Sequence, residues 1–189
     1  VGICRSPFWD QADSAMQAMV EEAASSLARA GASVVDFDGG GAFDDLQQAT
    51  VHISGYEFAR TLNHERRVAY DQLSSDLRDG RMADGLRIDY ATYVAAQQRR
   101  REARAQMDAA LADVDFVITP AAPGAAPKGL ATTGSATFNM VWTTLHTPAV
   151  TLPVANDSQG LPLGLQLASA RHSDDRLLCF ADSVLKELR

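Results

Sequence analysis

Apolar side chains at Met16, Met19, Val20, Ala23, Leu27 and Ala30 recur at steps of three and four residues, so Ala15–Ala30 is predicted to be an amphipathic helix. Gly31 follows, where helices commonly end in the left-handed conformation. Val1–Cys4 before it is short and apolar, and Ser33–Phe37 after it is rich in β-branched residues. Strand, helix and strand in that order predict a parallel βαβ unit with a right-handed crossover. Asp38–Leu46, "DGGGAFDDL", reads as a flexible connection. From about Ala42 to Leu77 the pattern is helical and polar-rich, and "DLRDG" closes it at Gly80; a second turn signal, "RMADG", ends at Gly85.

"DYATYVAAQQRRREARAQMDAALADV" predicts one long helix of about 24 residues and ~36 Å, with Tyr93, Ala96, Ala103, Met107, Ala110 and Leu111 on one side. "VDFVITP" is a buried-type strand stopped by Pro120, followed by the loop "AAPGAAPKGLATTG". "AVTLPV" and "LPLGLQLAS" are two more strands with a turn at "ANDSQG" between them. The final helix starts at a Ser173 cap with Asp174 and Asp175 in its first turn, and ends in Lys186 and Arg189, both ends matching the helix dipole. The fold class is α/β: a partial mixed sheet flanked by helices, opening with a βαβ unit, and 1–189 is expected to form a single domain.

Composition narrows the function classes. With 46% hydrophobic and 22% charged residues the chain is an ordinary globular one. A net charge of −7 argues against general binding to nucleic-acid phosphates. The run Arg99, Arg100, Arg101 and Arg104 is expected to be a solvated or ion-paired helix face. No stretch reaches the ~18 apolar residues of a membrane span, so no membrane partner is expected. Cys4 and Cys179 have no ligand or CxxC spacing and are expected to be buried thiols. The sequence opens directly in a strand at Val1, which suggests a piece of something longer.

Familiar catalytic motifs are missing. "TTGSATFN" lacks the Gly-Lys-Ser/Thr of a phosphate loop. "HERRV" has Val68 where a second zinc-binding His would stand, and His52, His146 and His172 lie in separate segments, so no metal is expected. Ser135 has a flexible, glycine-adjacent setting. With His146 as base it is the one hydrolase pair the sequence offers.

"DVDFVITPAAPGAAP", "TGSATFNMVWTTLHTPAVTLPV" and "GLPLGLQLAS", followed by "DDRLLCFADSVL", together resemble the C-terminal third of the amidase signature family. The opening strand with its Trp-Asp, Glu57, and the Tyr93 and Arg100 region of the long helix extend the resemblance over essentially the whole chain. It implies a fold with the chain's strands and outer helices in a larger sheet, and a parent enzyme hydrolysing carboxamides through an acyl-enzyme. In that family the serine, bridging serine and lysine of the triad lie in a Gly/Ser-rich segment N-terminal to where this sequence begins, so no catalytic residue is carried over. The resemblance further implies that "TTGSATFNMVWTTLHTPAVTLPV" closes the acyl pocket, with Asn139, Trp142, Thr143 and His146 supporting or lining it; Trp142 as core and Asn139 as a loop tie is the alternative. The expected partners are the missing N-terminal signature region and a small amide substrate, with no cofactor and a cytoplasmic location. Alone, the chain is expected to be inactive and to self-associate. A segment of a glutamine amidotransferase A subunit, and a non-catalytic binding module of the same fold, are the alternatives. In place of the family's Leu-Pro after the second strand stands Gly39-Gly40-Gly41, and glycine is frequent near the position of His146.

Overall fold

In the computed structural model, which describes residues 1–188, five strands form one sheet in the order β2-β1-β3-β5-β4. They are β1 (Gly2–Ile3), β2 (Val35–Asp36), β3 (Val117–Pro120), β4 (Ala149–Asn156) and β5 (Pro162–Ala168). β1 runs parallel to both β2 and β3, while β5 is antiparallel to β3 and to β4. The sheet is therefore mixed, and the helix α1 (Ser14–Arg29) makes the expected βαβ crossover between β1 and β2.

The chain divides into two compact units, Val1–Phe43 with Arg104–Arg189, and Asp44–Ala103. In the first, α1 and α7 (Asp174–Glu187) pack against the sheet. The α1 stripe is buried at Met16, Met19, Val20, Ala23 and Leu27, while Ala30, past the helix end, is exposed. Ile118, Leu165 and Leu167 are fully buried beneath these helices. Burial pushes the Cys4 thiol up to about 12, which keeps it protonated and unreactive. Cys179 is exposed, contrary to the sequence expectation, because it stands on the solvent side of α7. Ser173 does precede α7, but its Oγ donates back to Ala170 O (2.5 Å) rather than capping the helix. Arg189, expected at the end of this helix, lies outside the described residues.

The connection at Gly39, Gly40 and Gly41 is a built turn. All three have positive φ (78°, 57° and 82°), which glycine adopts without penalty. Gly40 N donates to Asp38 Oδ1 at 2.8 Å.

The second unit is helical: α2 (Leu46–Thr61), α3 (Asn63–Val68), α4 (Ala83–Arg87) and the N-terminal part of α5 (Tyr90–Ala110). The single helical run expected from Ala42 to Leu77 is thus broken, with a 3-10 turn at Tyr70–Gln72 after α3. The break expected at Gly80 is present, whereas the second turn signal, at Gly85, falls inside a helix. A π-helical stretch, Asp76–Met82, passes through Gly80, which bends it at φ −98°, ψ −107°. Gly85 sits inside α4 because α2 lies against it: a Cβ there would come within 2.0 Å of Gly55 O. Ala49, Ile53 and Ala96 form the small core of this unit, with Tyr93 packed on it. The long helix is slightly shorter than expected, 21 residues, and closes in a 3-10 turn at Leu111–Asp113.

Candidate functional site

In an open sheet with parallel strands, the connections leave to opposite sides at one point, and the loops after those strands part to leave a crevice. Here that point lies between β1 and β3. The segment after β3, starting at Ala121, is rich in Ala, Pro and Gly and lies over the edge formed by β4 and β5. Between them is a cavity of ≈ 590 Å³, lined by Ala121–Pro127, Thr133–Ser135, Thr151, Pro153, Pro162 and Gly164. That volume suits a small-molecule site. Its polar side chains are three hydroxyls, those of Thr133, Ser135 and Thr151, and no titratable side chain lines it.

A short chain of amides fixes the inner wall. α6 (Thr137–Leu145) carries Asn139, whose Nδ2 donates to Ala121 O at 2.8 Å. Because a backbone carbonyl only accepts, Asn139 must turn its Oδ1 the other way, where it accepts from Gln166 Nε2 at 2.6 Å. Gln166 is 3% exposed, and its Oε1 has no partner among the described residues. Ala121 N donates to Gly164 O (3.1 Å), and Asp13 N donates to Pro123 O (2.7 Å), so the wall is also tied to β5 and to the start of α1. Asp13 caps α1 through Oδ1, which accepts from Met16 N at 2.8 Å. At the other end of α6, the Arg104 guanidinium donates twice to Thr144 O (3.1 and 2.8 Å), placing a cation at the helix C-terminus.

None of Asn139, Trp142, Thr143 and His146 lines the cavity. Asn139 ties its wall down. Trp142 is buried, edge-on to Phe43 at 6.1 Å between ring centres. Thr143 and His146 are exposed, and His146 ends α6 at φ 59°, a left-handed position that favours glycine. The Ser135–His146 pair does not form. The two residues flank opposite ends of α6, whose nine residues span ~13 Å at the helical rise. Ser135 Oγ is instead spent locally, 2.7 Å from Thr137 Oγ1 and accepting from Thr137 N at 3.2 Å.

Other polar groups are already engaged. Arg5, next to β1, donates to both Glu21 oxygens (2.6 and 2.9 Å) and to Asp36 Oδ1 (2.5 Å); the Glu21 carboxylate holds its guanidinium even more firmly charged. On α5, Arg99 donates to Asp44 O at 2.8 Å and Arg100 to Gln97 Oε1. In the second unit, Tyr93 donates to Glu57 Oε1 (2.8 Å) and accepts from Gln97 Nε2 (2.8 Å); the Glu57 carboxylate pushes the phenol up. Tyr56 stacks on Tyr93 at 4.3 Å. Among the described residues no three His, Cys, Asp or Glu side chains converge as metal ligands would.

Sequence reasoning missed the lining residues after β3, and it missed Gln166 and Arg104. The signal available for the first was the buried strand running straight into "TPAAPGAAP", a loop whose small side chains leave space.

The amidase family model matches residues 1–178. A 2-amino-5-chloromuconic acid deaminase from Comamonas testosteroni is 31% identical over 201 residues, covering 96% of this chain and 41% of the relative. The A subunit of the glutamyl-tRNA(Gln) amidotransferase of Helicobacter hepaticus is 30% identical over 106 residues, 52% of this chain and 23% of the relative. Among solved structures, one of an amidase superposes with a TM-score of 0.84 at 21% identity, over 95% of this chain and 44% of that one. The 6-aminohexanoate cyclic dimer hydrolase in complex with its substrate gives 0.80 at 19%, over 94% and 42%. The chain therefore spans less than half the length of each.

Proposed function

The chain belongs to the amidase signature family, and on that premise we propose that it is the C-terminal part of a cytoplasmic amidase that hydrolyses carboxamides to acid and ammonia through an acyl-enzyme. Its contribution is the pocket wall between the β3 loop and the β4–β5 edge. The nucleophile and its base come from the N-terminal signature region, which is the partner this part requires. The observation that carries the reading is a cavity at the carboxyl end of β3 with no nucleophile–base pair on its walls: the hydroxyl of Ser135 is turned to Thr137, and no His, Lys, Asp or Glu lines the space. Acyl transfer needs such a pair together with oxyanion donors, so this part alone is inert.

Treating the chain with a serine-reactive fluorophosphonate and weighing it intact tests this. No adduct is expected. A stoichiometric adduct, at Ser135 or elsewhere, would overturn the division of labour. A second reading is a segment of a glutamine amidotransferase A subunit. It is favoured by the matches to such proteins over about half of the chain. It ranks second because the match reaching 96% of the chain is to a deaminase.

A further inference from the structure

We propose that the cavity beside β4 and β5 admits the acyl part of a neutral, apolar carboxamide and turns away one whose acyl part ends in a carboxylate. This rests on the amidase reading above, and it adds a substrate class that the family alone does not fix.

Charge decides the matter. A carboxylate moved from water into a space with no cation and few donors loses more hydration than the walls return. The walls here are chiefly methyl groups, proline rings and bare glycine backbone. Of the loop backbone, Ala121 O and Pro123 O are acceptors already taken by Asn139 and Asp13, and Ala121 N is bonded to Gly164 O. Ser135 is likewise held by Thr137. Arg5, which follows β1, is not on the lining and is already paired with Glu21 and Asp36. Lys128 follows the lining residue Pro127 but is exposed and is not part of the lining. Against Gly124, moreover, lies the Asp13 carboxylate: a Cβ on that glycine would stand 2.0 Å from Oδ2. A negative charge therefore backs the wall and repels an anionic ligand. An apolar chain meets none of these costs and gains from leaving water.

The walls also argue against a protein segment as the natural occupant. Buried centres of protein interfaces are built from large aromatic and aliphatic anchors. This cavity contains no Leu, Ile, Val, Phe or Met on its lining. Small side chains leave volume for a ligand.

The test is an amide-resonance titration of the isotope-labelled 189-residue chain with three probes of matched length: hexanamide, adipamate, and methyl pentyl ketone. Hexanamide is expected to shift the resonances of Ala121, Ala122, Gly124, Gly134 and Ser135 and to bind at least about tenfold more tightly than adipamate, its carboxylate-ended analogue. Ala126→Phe, at an exposed lining position, is expected to abolish those shifts while leaving the rest of the spectrum in place. Adipamate binding as tightly as hexanamide, shifts outside the cavity, or no shifts with any probe would overturn the inference. The ketone separates the two readings. If it binds as hexanamide does while adipamate does not, the apolar class holds and amide selectivity must come from the signature region. A fluorophosphonate adduct, in contrast, would overturn the proposed function without touching this preference.

Discussion

Asn139 shows how much one side chain does here. It joins the first carbonyl after β3 to a buried glutamine of β5, and Ala121 O, which only accepts, fixes its orientation. Asn139→Asp keeps the shape but replaces the donor facing Ala121 O with a second acceptor. The expected cost is about 2 kcal/mol, a lost hydrogen bond plus an orphaned carbonyl. Urea unfolding measures it, and a change within experimental error of zero would mean the tie does not hold the wall. The sequence points to Asn139 only through family resemblance, and leaves open whether it lines or supports the pocket. Periodicity cannot decide, because the partner carbonyl lies 18 residues away and Gln166 lies 27. Gln166 is harder still, since a polar residue inside the apolar run "LPLGLQLAS" shows its worth only when its neighbours are known.

Among elements, the helices with a clear apolar stripe are legible in the sequence and the polar ones are not. α1 appears within one residue of its predicted ends, since its stripe and Gly31 agree. The region from Leu46 to Arg87 departs from its predicted form because only one of its two turn-signal glycines, Gly80, breaks the helix. Gly85 is instead a contact point, placed where α4 meets the backbone of α2 at Gly55. Gly85→Ala puts a methyl into that backbone and is expected to cost about 3 kcal/mol, at the upper end for overpacking. Amide hydrogen exchange should then quicken in α2 and α4, while the β3–β5 pairing in the other unit keeps its native protection. Unchanged protection in α2 would show that the helices part easily and that the close approach carries no energy. A single-sequence reading cannot see such a contact, because a glycine at a turn and a glycine at a helix crossing look alike.

At the scale of the whole molecule, the class and the β1–β2 and β4–β5 pairings follow from two local rules, the βαβ crossover and the β4–β5 hairpin, both visible in the hydrophobic pattern, whereas the place of β3 between β1 and β5 is not. The division into two units is not, because one continuous helix, α5, runs from one into the other. β4 is an edge strand with β5 on one side only, although Pro153 and the register shift at Pro153/Ala155 blunt it. Pairing along that edge is therefore poor, and the self-association expected of this chain must come from exposed apolar side chains such as Tyr90 and Val94 of α5. Sedimentation velocity across a hundredfold concentration range is expected to show it, and a single monomer species throughout would overturn it.

The exposed strap between Pro127 and Thr133 has a use in the test tube. The sequence holds two lysines, Lys128 on that strap and Lys186 in the last turn of α7, where it is paired with Asp182 at 2.6 Å. A protease that cuts only after lysine should nick the native chain first at Lys128. The pieces, 1–128 and 129–189, carry β3 and β5 respectively, and those strands stay hydrogen-bonded through Thr119 and Gln166 and their neighbours. A denaturing gel should show two bands where a sizing column shows one particle. The two pieces could then be encoded as separate polypeptides and reassembled, making the strap a natural place to divide this protein.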